Sequence, residues 1–203
     1  MIEWSFFQAR KSKIIEEVFV STDDQVIMDL SAKYDIGVIK RPKHLAGDSS
    51  SSESALIHAI DKIKNSHHIN PEIIVFLQAT SPLRKQNDID DAISKFIKEG
   101  ADSLFSATSF DDLTLWQKNK NKWESINFDY KNRLRRQDMS PNYIENGSIY
   151  IFRKEILEKF KNRLGGKIIS YEMDFWQTWE LDTIKELDLI EFYMDKYIIG
   201  GLK

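Results

Sequence analysis

Ile73-Ile74-Val75-Phe76-Leu77-Gln78-Ala79-Thr80-Ser81-Pro82-Leu83-Arg84 is the stretch on which the fold turns. Ile73 to Leu77 has the length and apolar content of a buried strand. At its end the chain at once presents an amide, two hydroxyls, a proline and an arginine. In open α/β sheets, ligands sit at the carboxyl ends of strands, where backbone packing is finished and side chains face a crevice. Pro82 fixes φ and stops the strand, which holds the polar cluster in one geometry. The stretch by itself also suits a plain strand-to-helix turn, with Ser81 or Asn87 capping the helix that follows.

Working outward, helix and strand signals alternate. Residues 2–13 place Ile2, Phe6 and Ala9 at helical spacing and end on Arg10-Lys11-Ser12-Lys13. Val18 to Ser21 and Ile36 to Ile39 read as short strands, separated by a helix that Asp23 can cap. A loop from Arg41 to Ser52 leads to a helix over Glu53 to Lys64, with Ser50 and Glu53 at capping-box spacing. Beyond the central strand come a helix over Asn87 to Lys98 and a strand over Ser103 to Ala107. Further on lie a strand at Ser148 to Phe152, a helix near 153–161, a strand at Ile168-Ile169 and a last helix from about Thr183 to Asp195. Strands alternating with helices of about 10–15 residues predict an α/β fold with a mainly parallel sheet and helices on both faces. Residues 110–145 break the rhythm, setting Trp116, Trp123, Phe128 and Tyr130 among Lys, Asn and Asp. Such a lobe suggests an interface more than a second core. The expected organisation is one domain over 1–203 with the 110–145 lobe inserted in it.

The 203 residues are 41% hydrophobic and 12% aromatic, enough for a substantial core, and carry a formal charge of -3. That balance gives no electrostatic case for nucleic acid. No cysteine is present, so thiolate nucleophiles, disulfides and cysteine zinc sites are excluded. No apolar segment is long enough to span a bilayer, and Met1 to Gln8 lacks the basic-then-apolar order of a signal peptide. A cytoplasmic protein without a membrane partner is expected.

Four further clusters could carry chemistry. In Glu180-Leu181-Asp182 the carboxylates share a face if the segment is extended, and can together hold a hard divalent cation such as magnesium beside substrate phosphates. Asp182 could equally cap the final helix. Arg133-Leu134-Arg135-Arg136-Gln137-Asp138 concentrates guanidinium forks suited to phosphate or carboxylate, although a solvated charge run explains it as well. Gly47-Asp48-Ser49-Ser50-Ser51-Ser52 puts hydroxyls at a helix N-terminus, which welcomes anions. Glu145-Asn146-Gly147-Ser148 leads into a strand, with a positive-φ turn as its simplest reading. The scattered histidines are given no role.

Taken in order, the pieces resemble the acylneuraminate cytidylyltransferases. They are Val20-Ser21-Thr22-Asp23-Asp24, Arg41-Pro42 with Leu45-Ala46-Gly47-Asp48, and Leu77 to Arg84. Arg135-Arg136-Gln137-Asp138, Glu145 to Tyr150, and Glu180-Leu181-Asp182-Thr183 complete the set. The resemblance covers essentially the whole chain and implies a Rossmann-like nucleotidyltransferase sheet. The implied reaction is CTP plus a nine-carbon 2-keto sugar acid giving CMP-sugar and pyrophosphate. It implies Mg2+ (or Mn2+) on Glu180 and Asp182, with Arg136 as a third catalytic group. The implied substrate-binding set is Gln78, Thr80, Ser81, Arg84, Asp48, Ser52, Asn146, Ser148 and Tyr150, with Gln78 on the sugar. The aromatic lobe would be the arm of a homodimer.

Three departures stand out against that family. Ala79 replaces a usual proline, and Glu180 replaces a more common aspartate. The chain also opens on a helix, where the family has a strand and a phosphate-gripping loop, so Met1 to Trp4 reads as a mid-domain start. The rivals are a non-catalytic sugar-binding or dimer-partner protein and a cytidylyltransferase for an eight-carbon keto sugar acid.

Overall fold

The structure is a computed structural model and describes residues 1–47, 50–110 and 113–200. Its centre is a four-stranded sheet of β3 (Ile73–Leu77), β7 (Tyr143–Arg153), β4 (Ser103–Ser109) and β8 (Ile168–Met173), in that spatial order. β7 is antiparallel to both neighbours, whereas β4 and β8 are parallel, so three strands run one way and β7 opposes them. The sheet is therefore mixed rather than uniformly parallel. The reversal follows from the chain path: β4 returns through the 110–145 lobe as β7, with no crossover helix between them.

The apolar run of β7 is sorted by the two-residue period of a strand. Ile149 and Ile151 pack with Ile89, Ala92, Ile93 and Phe96 of α4 (Asp88–Glu99). Tyr150 and Phe152 pack on the other face with Ile60 of α3 (Ser52–His67) and Leu157 of α5 (Lys154–Phe160). An unbroken hydrophobic strand thus demands helices on both faces. Gly100 closes α4 with φ of 58°, a left-handed cap that glycine takes without steric cost.

A second, two-stranded parallel sheet pairs β1 (Phe19–Thr22) with β2 (Gly37–Lys40). It packs on α1 (Ile2–Lys11) and α2 (Gln25–Ala32) through Phe6, Val20 and Ile36. β1 and β3 do not pair with each other. Between them lies a cleft of about 1150 Å³, lined along the full length of both strands and floored by α3.

The helix starts differ from expectation by one residue at two places. Asp24, not Asp23, caps α2, accepting from Val26 N at 2.7 Å and Ile27 N at 3.1 Å. Ser51, not Ser50, caps α3 by accepting from Ser54 N. Asn87 stands at the N-cap of α4 but makes no side-chain cap bond. The lobe contains a hairpin unforeseen in the sequence, β5 (Trp116–Asn119) with β6 (Lys122–Ser125), turned at Lys120 with φ of 53°. α6 spans Leu187–Tyr193, shorter than expected. A 3-10 turn at Ile184–Glu186 precedes it and a wider π-type coil at Met194–Ile199 follows.

Candidate active site at the carboxyl end of β3

Arg84 organises the turn after β3. Its side chain is fully buried, and burial brings its pKa down to about 10. Nη1 donates to the carbonyls of Gln78, Ser81 and Ser148 and to Ser148 Oγ. Nη2 donates to Ser5 Oγ at 2.7 Å, and Nε to Gln8 Oε1 at 3.0 Å. Gln8 Nε2 returns a bond to the Arg84 carbonyl, and Trp4 Nε1 donates to the Pro82 carbonyl. From the other side, Gln177 Nε2 donates to the Leu83 carbonyl at 2.8 Å and to Asp88. The turn is thus fastened from α1, from β7 and from the segment before Glu180.

Opposite this turn β7 bulges. Ala107 pairs with Glu145 and Phe105 with Tyr150, so Asn146 to Ile149 stand against Ser106 alone. The Ser106 hydroxyl fills the bulge, donating to Asn146 Oδ1 and accepting from Ile149 N at 2.8 Å. Gly147, with φ of 64°, occupies the conformation the bulge requires.

Glu180 rests on that glycine. Its carboxylate is half-buried, and its pKa is raised first by burial, then by the neighbouring charges of Asp182 and Glu145. The Ser81 hydroxyl faces it and opposes the rise, although Ser81 Oγ stands in no hydrogen bond of regular geometry. Leu181 N donates to the Thr80 carbonyl at 2.8 Å, which stitches the carboxylate pair to the turn after β3. Asp182 does not cap the last helix. Thr183 instead caps the 3-10 turn that precedes that helix, in a capping box with Glu186, and the Asp182 carboxylate stays exposed. Two carboxylates, one exposed and one half-buried whose ionisation is disfavoured by burial and then by its neighbours, fit a hard cation that shares its remaining positions with water or phosphate. Among the described residues no cluster of three His, Asp or Glu side chains forms a closed metal cage.

The residues expected at the site divide into layers. Gln78, Thr80 and Ser52 line the cleft, together with Arg41, whose Nε donates to Ser21 Oγ at 3.1 Å. Ser81 and Glu180 meet over Gly147. Arg84, Asn146 and Ser148 were expected to meet a ligand. They are buried beneath the surface with their polar groups engaged by protein, so they hold the wall in place. Tyr150 is buried and donates to Glu145, and its pKa is raised chiefly by burial. Asp48 lies outside the described residues. The backbone of Arg136 forms a 3-10 turn with Gln137 and Asp138, and its side chain lies outside the described set.

Sequence reading missed Gln8, Gln177 and Ser106. All three are polar residues buried at this junction. The available signal for Gln8 was an amide between Phe6 and Ala9, on the face that α1 turns inward.

The profile described as Cytidylyltransferase matches residues 1–195. An N-acylneuraminate cytidylyltransferase of Oncorhynchus mykiss is 33% identical over 179 residues, covering 85% of this chain and 39% of that protein. A pseudaminic acid cytidylyltransferase of Campylobacter jejuni subsp. jejuni is 31% identical over 154 residues, covering 74% of this chain and 66% of that one. The chain thus spans about two fifths of the length of the fish relative. Among solved structures, a CMP:2-keto-3-deoxy-manno-octonic acid synthetase complexed with CTP superposes with a TM-score of 0.69 at 14% identity, covering 97% of this chain and 88% of that one. That likeness establishes the shared fold.

Proposed function

Since the chain belongs to the cytidylyltransferase family, we propose that it transfers CMP from CTP to a nine-carbon 2-keto sugar acid and releases pyrophosphate. The anomeric hydroxyl oxygen bonds to the α-phosphorus, the bond from that phosphorus to the pyrophosphate oxygen breaks, and the hydroxyl proton is lost. The observation that carries the reading is the junction of the carboxylate pair with the turn after β3. Glu180 and Asp182 are held beside Ser81 through the Leu181 to Thr80 bond, at the end of a cleft that Gln78, Thr80, Ser52 and Arg41 line.

Within this reading Glu180 and Asp182 hold Mg2+ or Mn2+, which when bound offsets negative charge on the triphosphate. Gln78 contributes an amide to the sugar, and Ser52 with Thr80 contributes hydroxyls. Arg84, Asn146 and Ser148 position the wall. The names of the relatives at 33% and 31% identity support a nine-carbon acid as acceptor.

The protein is also proposed to work as a homodimer. Both strands of the hairpin are exposed almost throughout, and Trp123 is 59% exposed. An isolated two-stranded hairpin is marginal in water, and so much exposed aromatic surface marks an interaction site.

The test is magnesium-dependent pyrophosphate release from CTP, with N-acetylneuraminate, legionaminate, pseudaminate and an eight-carbon keto acid supplied in turn. Release with a nine-carbon acid is expected. Release with the eight-carbon acid alone would replace the acceptor, and no release from the folded protein would overturn the reaction.

A further inference from the structure

Gln177 is an uncharged side chain, 1% exposed, with every polar atom in use. Nε2 gives one hydrogen to the Leu83 carbonyl at 2.8 Å and the other to Asp88 Oδ2 at 2.7 Å, and Oε1 accepts from Asp174 N at 3.0 Å. Only one orientation of the amide satisfies these three partners. Turned over, its oxygen would face the Leu83 carbonyl and the Asp88 carboxylate. The backbone is engaged as well: Gln177 N donates to the Asp174 carbonyl at 2.9 Å, and the Gln177 carbonyl accepts from Asn146 Nδ2 at 3.4 Å.

These bonds matter by where they stand along the chain. Position 177 is tied to position 83, and position 181 to position 80. Glu180 lies between the two ties, three residues after the first and one before the second. The second tie joins backbone to backbone, and any residue but proline could make it. The first depends on the side chain of Gln177. Asn146 adds a third point, since it adjoins the Gly147 on which Glu180 rests. Two other bonds hold the segment without replacing these. Thr178 Oγ1 meets Thr108 Oγ1 of β4 at 2.7 Å, a tie to the sheet and not to the turn. Lys85 Nζ meets Asp174 Oδ2 at 2.7 Å, half-exposed, where solvent screens the pair.

We propose that Gln177 is a positioning residue for the carboxylate pair: its clamp on the turn after β3 sets where Glu180 stands over Gly147, and so how Glu180 and Asp182 converge on a cation. The inference rests on the reading that these two carboxylates hold a divalent cation, and names what aligns them. Groups behind a metal ligand orient it, and their loss weakens metal binding although they touch no metal. Mg2+ demands near-ideal ligand geometry, so a displaced carboxylate costs affinity.

The experiment compares unaltered protein with Gln177→Met, which keeps the length of the side chain and removes its polar atoms. Leu157→Ala, a cavity in the core beneath α5, controls for lost stability alone. Two readouts are taken below the melting temperature of each: Mn2+ affinity from the EPR signal of the free ion, and the Mg2+ concentration giving half-maximal pyrophosphate release. Q177M should weaken both about 10-fold, whereas L157A should stay within about twofold despite a lower melting temperature. If Q177M does not fold, Gln177→Asn, whose amide is one methylene short, should weaken both by at least about threefold. Unchanged metal dependence in the variant that folds would overturn the role of Gln177. Equal weakening in L157A would do the same, since general loosening would then account for the loss. Unaltered protein that neither binds Mn2+ nor responds to Mg2+ would overturn the reading of Glu180 and Asp182, and this inference with it.

Discussion

Glu180 occupies the space that a side chain on residue 147 would need: a Cβ placed on Gly147 falls 2.2 Å from Glu180 Oε1 and 3.2 Å from Ser81 Oγ. Carboxylate and glycine are thus one device. The bulge in β7 turns residue 147 into positive φ, and the missing side chain lets Glu180 close over it. Gly147→Ala meets both obstacles. Left-handed strain at a non-glycine residue is worth about 1–3 kcal/mol, and the carboxylate must move as well. Pyrophosphate release should fall at least about 10-fold, with a lower melting temperature. Unchanged turnover would separate Glu180 from the reaction.

The charge on Glu180 sets a pH dependence. Burial and Asp182 raise its pKa in the folded state. The contribution of this group to stability is therefore full below the ordinary glutamate range and lost as pH rises through the raised folded value. A bound cation needs the ionised form, so stabilisation by Mg2+ should grow over the same interval. Glu180→Gln should remove the Mg2+ response. Since Glu180 is partly solvated, removing its charge should raise the metal-free melting temperature at neutral pH by no more than about 2–4 °C. Thermal scans at several pH values, with and without Mg2+, check both. A variant that keeps the full Mg2+ response would exclude Glu180 as a ligand.

Arg84 makes a different kind of prediction. Arg84→Met leaves the carbonyls of Ser81 and Ser148 without this donor, whereas the Gln78 carbonyl keeps the Ser81 N–H. Each buried acceptor so stranded costs about 1–3 kcal/mol, so the melting temperature should fall on the order of 10 °C. A drop of less than about 3 °C would mean that the turn is held by other contacts.

The hairpin lobe is tested by charge. Trp123→Glu places a carboxylate on an exposed strand without touching the central sheet. Light scattering should show the unaltered protein as a dimer and the variant as a monomer with about the same thermal stability. A dimer in both would move the interface elsewhere.

The sequence disclosed the strands and helices of the central layers because burial there follows a clean period. Ile73 to Leu77 and Ile149 to Phe152 are apolar on both faces, which requires helices above and below them. The reversed direction of β7 was not legible, since periodicity carries no arrow. The hairpin was hidden for a related reason: Trp116 to Ser125 is exposed almost throughout and leaves no alternation to read. Caps slipped by a residue where acceptors stand in a row, as at Asp23-Asp24 and Ser50-Ser51-Ser52. At the site, the nearness of Glu180 to the turn after β3 could be anticipated from the resemblance. The interior role of Arg84 could not, because an arginine after a strand looks the same whether it faces solvent or bonds inward.

The cleft between β1 and β3 divides the molecule mechanically. No strand-to-strand bond crosses it. The β1–β2 sheet is tied to the larger sheet through α1, whose Phe6 belongs to one core while Trp4, Ser5 and Gln8 bond to the turn after β3. α3 also touches both strands of the small sheet, with Phe19 against His67, while its Ile60 packs with Tyr150 and Phe152, so the two sheets are joined by helix packing and side-chain bonds and not by a shared ladder. In amide hydrogen exchange, β1 and β2 should lose protection as one unit and β3, β4, β7 and β8 as another. A ligand spanning the cleft should bring the two rates together.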